Sequence, residues 1–127
     1  MKKFRVIAML SGVFLAVSVP TGAAQKGAAK QPPMTPALNI GKMNYDVKCA
    51  SCHGPGGVGT DKGPTFLHRV YHPGHHADGS FYLAAKRGAR AHHWKFGDMP
   101  PVEGITDKQI EKIVLYIRAV QKTNGLF

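Results

Sequence analysis

Both cysteines of this chain fall within five residues, Cys49-Ala50-Ser51-Cys52-His53, and that spacing constrains the fold more than any other feature. C-x-x-C-H is the attachment sequence of a c-type haem. Each thiol can form a thioether to one haem vinyl group, and the adjoining imidazole can rise beneath the porphyrin to bind iron. A chain built this way carries much of its core as a cofactor. Two other chemistries use paired cysteines. A thioredoxin-like dithiol normally follows a strand in a mixed fold and opens a helix, whereas this pair follows a predicted helix and precedes a glycine-rich run at residues 54–63. Zinc needs further ligands at a defined spacing, and no downstream Cys/His arrangement completes a known pattern. Haem attachment is the expectation, with dithiol chemistry and zinc as its competitors.

The N-terminus reads as an export signal. Met1-Lys2-Lys3-Phe4-Arg5 precedes an uncharged stretch at 6–19, and Pro20-Thr21-Gly22-Ala23-Ala24 offers small residues for a cut after Ala24. The apolar stretch is short of the roughly 20 residues that span a bilayer, so a signal peptide at 1–24 and no permanent membrane span after cleavage are expected. What remains is a flexible leader at 25–34 and one domain at 35–127. Such a length is thin for an apolar core, and a buried porphyrin would relieve the shortage.

Seventeen Lys and Arg against seven Asp and Glu give a formal charge of +10. A basic surface can steer docking to an acidic redox partner. The basic residues are scattered, without an aromatic-interleaved pattern, so no nucleic acid is expected as a partner.

The punctuation of the chain predicts an all-α domain. Thr35-Pro36 is a cap followed by proline at the first helical position, and the helix runs from there towards Cys49. Cys49, Cys52 and His53 then lie three and four residues apart, so one turn presents all three to one plate. Residues 54–63 cannot form a stable helix, and residues 64–78 read as a histidine-rich loop. A short helix is expected over 80–86, with Phe81, Leu83 and Ala84 or Ala85 inward and a stop near Gly88. After a second loop, Thr106-x-x-Gln109 forms a capping box, flanked by the staple pair Ile105 and Ile110. Ile110, Ile113, Val114, Ile117 and Val120 share one face of the last helix, and Asn124-Gly125 ends it.

In the haem reading His53 is the proximal ligand. Its other nitrogen must donate to an acceptor that fixes the ring, and the Pro64 carbonyl, in a stiffened loop, is a candidate. The sixth ligand must come from later in the chain. Met99, in a polar, proline-bounded stretch, is the candidate; Met43 reads as helix packing and Met34 as part of the leader. His68, His72, His75, His76, His92 and His93 are the rival ligands. His72-Pro-Gly-His75-His76 also has the makings of a transition-metal site with no assignable role.

These features together resemble the class I cytochrome c family over residues 35–121. Gly41 and Tyr45 fit that family's glycine-x-x-x-aromatic arrangement, and Ile113 and Tyr116 its apolar-x-x-aromatic pattern. The resemblance implies that the N- and C-terminal helices cross at these four residues and support the haem pocket. It implies one haem c per chain on Cys49 and Cys52, with Pro64 orienting His53 and Met99 as distal axial ligand. Trp94 is a candidate to support a propionate or pack on the ring, as aromatic residues do in the family, with a plain core or surface aromatic as the alternative. The function so implied is one-electron transfer in a periplasmic respiratory chain, by a monomeric carrier rather than an enzyme. A fixed haem subunit of a periplasmic oxidoreductase, or an open-site haem enzyme or sensor, is the alternative. The middle of the chain departs from the family, in the histidine-rich 68–76 and in the bulky approach Ala91-His92-His93-Trp94-Lys95-Phe96 to the methionine.

Overall fold

A computed structural model describes residues 27–127; the expected signal segment lies outside them. Four helices follow one another: α1 Pro36–Lys48, α2 Ala50–His53, α3 Asp78–Arg87 and α4 Asp107–Thr123. Short 3-10 turns occupy Pro55–Gly57 and Arg69–Tyr71. Among the described residues the β pairing is confined to an isolated antiparallel bridge between Ala89 and Met99. The fold is all-α, and no described helix is long and apolar enough to cross a membrane.

The helix ends lie where local chemistry puts them. Thr35 Oγ1 accepts from the Leu38 N–H at 3.2 Å, and Pro36 occupies the first turn, where its missing N–H costs nothing. At α4 the capping box is reciprocal: Thr106 Oγ1 accepts from the Gln109 N–H, and Gln109 Oε1 accepts from the Thr106 N–H. Helix α3 begins at Asp78, two residues before the expected start. An acidic residue there suits the positive end of a helix, and Asp78 is also paired with Arg118 of α4 at 2.7 Å. Gly88, at φ 77°, ends α3 as expected.

Helices α1 and α4 cross at Gly41. A methyl group there would run into the Lys112 carbonyl and the Tyr116 Cβ, so the close approach depends on glycine. Tyr45 and Tyr116 are fully buried beside the crossing with ring centroids 5.6 Å apart. Ile110, Ile113, Val114, Ile117 and Val120 are all buried along α4, as their spacing predicts.

Two further expectations need correction. The leader is not loose in its described part: Pro32 is buried, Gln31 Oε1 accepts from the Tyr116 hydroxyl at 2.8 Å, and Lys30 exchanges backbone hydrogen bonds with the Asn124 amide. Asn124 therefore ends α4 and ties down the chain start together. Met43, expected to pack in the core, is 68% exposed on the outer side of α1, because the inward face there belongs to Gly41 and Tyr45.

Candidate haem site

The attachment sequence sits on a kink. The Cys49 N–H closes α1 on the Tyr45 carbonyl at 2.8 Å, and the Cys49 carbonyl then accepts from Cys52 and His53 at 3.2 and 3.0 Å. One tight turn thus gathers half-buried Cys49, exposed Cys52 and buried His53 on the wall of a single cavity. Both thiols are free. Burial, and secondarily the neighbouring Cys52, pushes the Cys49 thiol up to about 11. No strand precedes the pair, so the scaffold a thioredoxin-like dithiol needs is missing from the described residues.

His53 is held from two sides. A carbonyl can only accept, so the 2.9 Å contact between His53 Nδ1 and Pro64 O places a proton on Nδ1 and leaves Nε2 bare when the ring is neutral. Burial lowers the His53 pKa, with the Pro64 bond opposing it, and so favours that neutral ring. Phe66 stacks on the imidazole at 4.2 Å between centroids, 22° from parallel. Phe66 is in turn fixed through its backbone: its N–H donates to Gly57 O at 2.7 Å, and its carbonyl accepts from the buried Gln121 amide at 2.8 Å. The Tyr45 hydroxyl donates to Gly54 O at 2.7 Å, tying the turn beyond His53 back to α1.

The rest of the cavity is contributed by later elements. Phe81, Leu83, Ala84 and Ala85 line it from α3; Ile110, Ile113, Val114 and Ile117 line it from α4; Trp94, Phe96, Met99, Pro100 and Pro101 line it from the loop between. Met99 is half-buried, and its N–H and carbonyl pair with the Ala89 carbonyl and N–H at 2.8 and 2.9 Å. That bridge pins the methionine backbone directly beyond the end of α3. Of the other candidate iron ligands, His76, His92 and His93 reach the cavity wall, while His68, His72, His75, Met34 and Met43 do not.

The cavity holds about 570 Å³, within the roughly 300–1,000 Å³ typical of cofactor clefts, and its lining is mostly apolar. Trp94 Nε1 is buried on its wall with no hydrogen-bond partner among the described residues. The Tyr71 hydroxyl lies close enough to Trp94 to feel it, although burial dominates and raises the Tyr71 pKa; the two do not meet in hydrogen-bond geometry. A buried donor without an acceptor is costly, and a haem propionate would relieve it. Two thiols, an oriented imidazole, an apolar slot and an orphaned donor all fit a porphyrin.

Phe66, Tyr71 and Arg118 were not singled out by sequence reasoning. Arg118 donates to Asp78, to the Tyr71 and His76 carbonyls and to Gln121, clamping the histidine-rich loop to α4. An arginine interrupting an apolar helix face was the one available signal for this role. Phe66 gave none, since a lone aromatic in a loop has no periodicity to betray it.

Fold and site together define an all-helical domain wrapped around a cleft for a thioether-attached porphyrin. The Cytochrome c family model matches residues 38–121, and the chain belongs to that family, a haem-binding electron-transfer protein for which covalently bound haem c is implied. No match was found among curated proteins or solved structures.

Proposed function

We propose that this protein is a one-electron carrier of a periplasmic respiratory chain, with one haem c held by Cys49 and Cys52 and by His53 and Met99 as axial ligands. The observation that carries this reading is that both cysteines, His53 and Met99 line one apolar cavity. When bound, the haem supplies reversible one-electron chemistry at iron. The chain's own residues do the rest. Pro64 and Phe66 hold the His53 ring in one orientation. Apolar side chains of α3 and α4 exclude water, and Trp94 offers its unpaired N–H to an anionic edge.

A thioether sulfur favours ferrous iron and raises the potential, and two protein ligands leave small molecules no ready place on the metal. The periplasmic assignment rests on the signal-like residues 1–24, and the acidic character of the partners on the net charge of +10. A second reading, a fixed haem subunit of a periplasmic oxidoreductase, draws on Leu83 and Phe96, which are 51% and 42% exposed at the cavity.

Protein matured with haem should retain it through acid extraction, cycle between ferric and ferrous forms, and show the near-infrared sulfur-to-iron band when ferric. Haem lost on extraction would overturn the reading. Size-exclusion chromatography of the periplasmic fraction separates a monomeric carrier from a subunit that elutes with a larger enzyme.

A further inference from the structure

We propose that His75, His76 and His93 form a second metal site, for one divalent transition ion of the Zn²⁺ or Cu²⁺ type, at the rim of the haem cavity. The haem reading uses one of seven histidines, yet two loops distant in sequence bring three of the others together. One imidazole nitrogen from each can be chosen so that all lie within 4.8 Å of one another.

The closest pair already has the spacing of metal ligands. His75 Nε2 and His93 Nε2 are 3.2 Å apart. Two nitrogens bonded at 2.0–2.1 Å to a tetrahedral ion stand about 3.3 Å apart. Without an ion, one ring donates a proton to the other. An ion replaces that proton once the donor ring moves its hydrogen to Nδ1 and both rings turn so that their Nε2 lone pairs meet at the ion, with the N···N spacing nearly unchanged.

His76 is set for the same ion. Its Nδ1 lies 2.7 Å from the Val70 carbonyl, which can only accept, so the proton is on Nδ1 and Nε2 is bare in the neutral ring. An outer acceptor of this kind fixes the tautomer and orientation of a ligating histidine. The backbone is held as well: the His75 and His76 N–H groups both donate to the His72 carbonyl at 2.9 Å, and the His76 carbonyl accepts from Arg118. Three imidazoles and no carboxylate suit zinc, copper or nickel over magnesium or calcium. With three protein ligands the fourth position goes to water or an incoming group.

The test uses the tag-free, haem-loaded protein. ZnCl₂ titrated calorimetrically should bind at one ion per chain. CuSO₄ should give a Cu²⁺ paramagnetic resonance spectrum with nitrogen couplings. His93→Ala and His75→Ala should each weaken Zn²⁺ binding by at least the roughly 10–100-fold seen when a ligand's outer hydrogen-bond partner is lost. His72→Asn keeps an acceptor for the Gly74 N–H that His72 Nδ1 now takes at 3.0 Å, and should bind as wild type. Absence of saturable binding, wild-type affinity in His93→Ala, or an equal loss in His72→Asn would each overturn the site. So would an altered haem spectrum in His93→Ala, which would put that histidine on iron. Because the readout is metal stoichiometry, its failure leaves the haem assignment standing, and a haem-free protein could still bind the ion.

Discussion

The His53 wall of the haem cavity is held by a dense set of converging restraints, whereas the Met99 wall is held mainly through its backbone, by the Ala89 bridge with the Ala91–Asp98 and Val102–Ala85 bonds on either side of it. On the first, the Pro64 carbonyl, the Phe66 ring and the Tyr45 hydroxyl all converge within the turn that follows α1. On the second, residues 91–98 are exposed except for half-buried Trp94, and the Ala89 pairing is what fixes Met99. The His53 side is therefore the more tightly positioned of the two. Local unfolding should follow the same division, with amide exchange faster over residues 91–98 than in the turn after α1, since stretches with few buried apolar contacts open first.

Removing both thiols tests the rigid wall most severely. Cys49→Ala with Cys52→Ala should abolish essentially all acid-resistant haem, measured as residual absorbance after extraction. Met99→Ala should act only on the other wall. It should keep the covalent haem, lose the ferric near-infrared band and lower the midpoint potential, because thioether ligation favours the ferrous state. An unaltered band would reject Met99 as the ligand and turn attention to His76, His92 and His93, which share the cavity.

Gly41→Val moves the test to the crossing of α1, which leads into the Cys49 turn, with α4, which lines the cavity. The added side chain meets the Lys112 backbone and Tyr116, and overpacking of this kind costs about 1–3 kcal/mol. Thermal unfolding of the haem protein should fall by roughly 4–8 °C for each kcal/mol lost in a domain of this size. Thr106→Ala should have the smallest effect. Loss of the cap destabilises by about 1 kcal/mol, and the haem spectrum should stay the same, since the cap touches neither ligand. A spectral change there would mean that the start of α4, through buried Ile105 and Ile110, sets the cavity geometry more directly than the crossing does.

What could be read before the structure follows the range of the interactions involved. Thr35-Pro36 and Thr106-x-x-Gln109 act within one helical turn, so their helices begin where the residues say. Helix α3 starts two residues before its sequence pattern because Asp78 is paired with Arg118, forty positions away. By its place on α1 alone Met43 reads as core, but which face is buried depends on where α4 lies. The leader's composition reads as loose, yet Gln31 meets Tyr116 across 85 positions and Lys30 meets Asn124 across 94.

Cys49, Cys52 and His53 needed no fold to be recognised, because a covalent attachment is written in the spacing of one turn. The capping residues and the apolar face of α4 belong with them. The stacking of Phe66 on His53, the Arg118 clamp and the meeting of His75, His76 with His93 exist only once distant loops have closed on α4. Contacts of that kind depend on how segments pack after closure, not on residue spacing along the chain. The attachment site is thus local chemistry, while the shape of the cavity around it, and the histidine cluster at its rim, are products of packing.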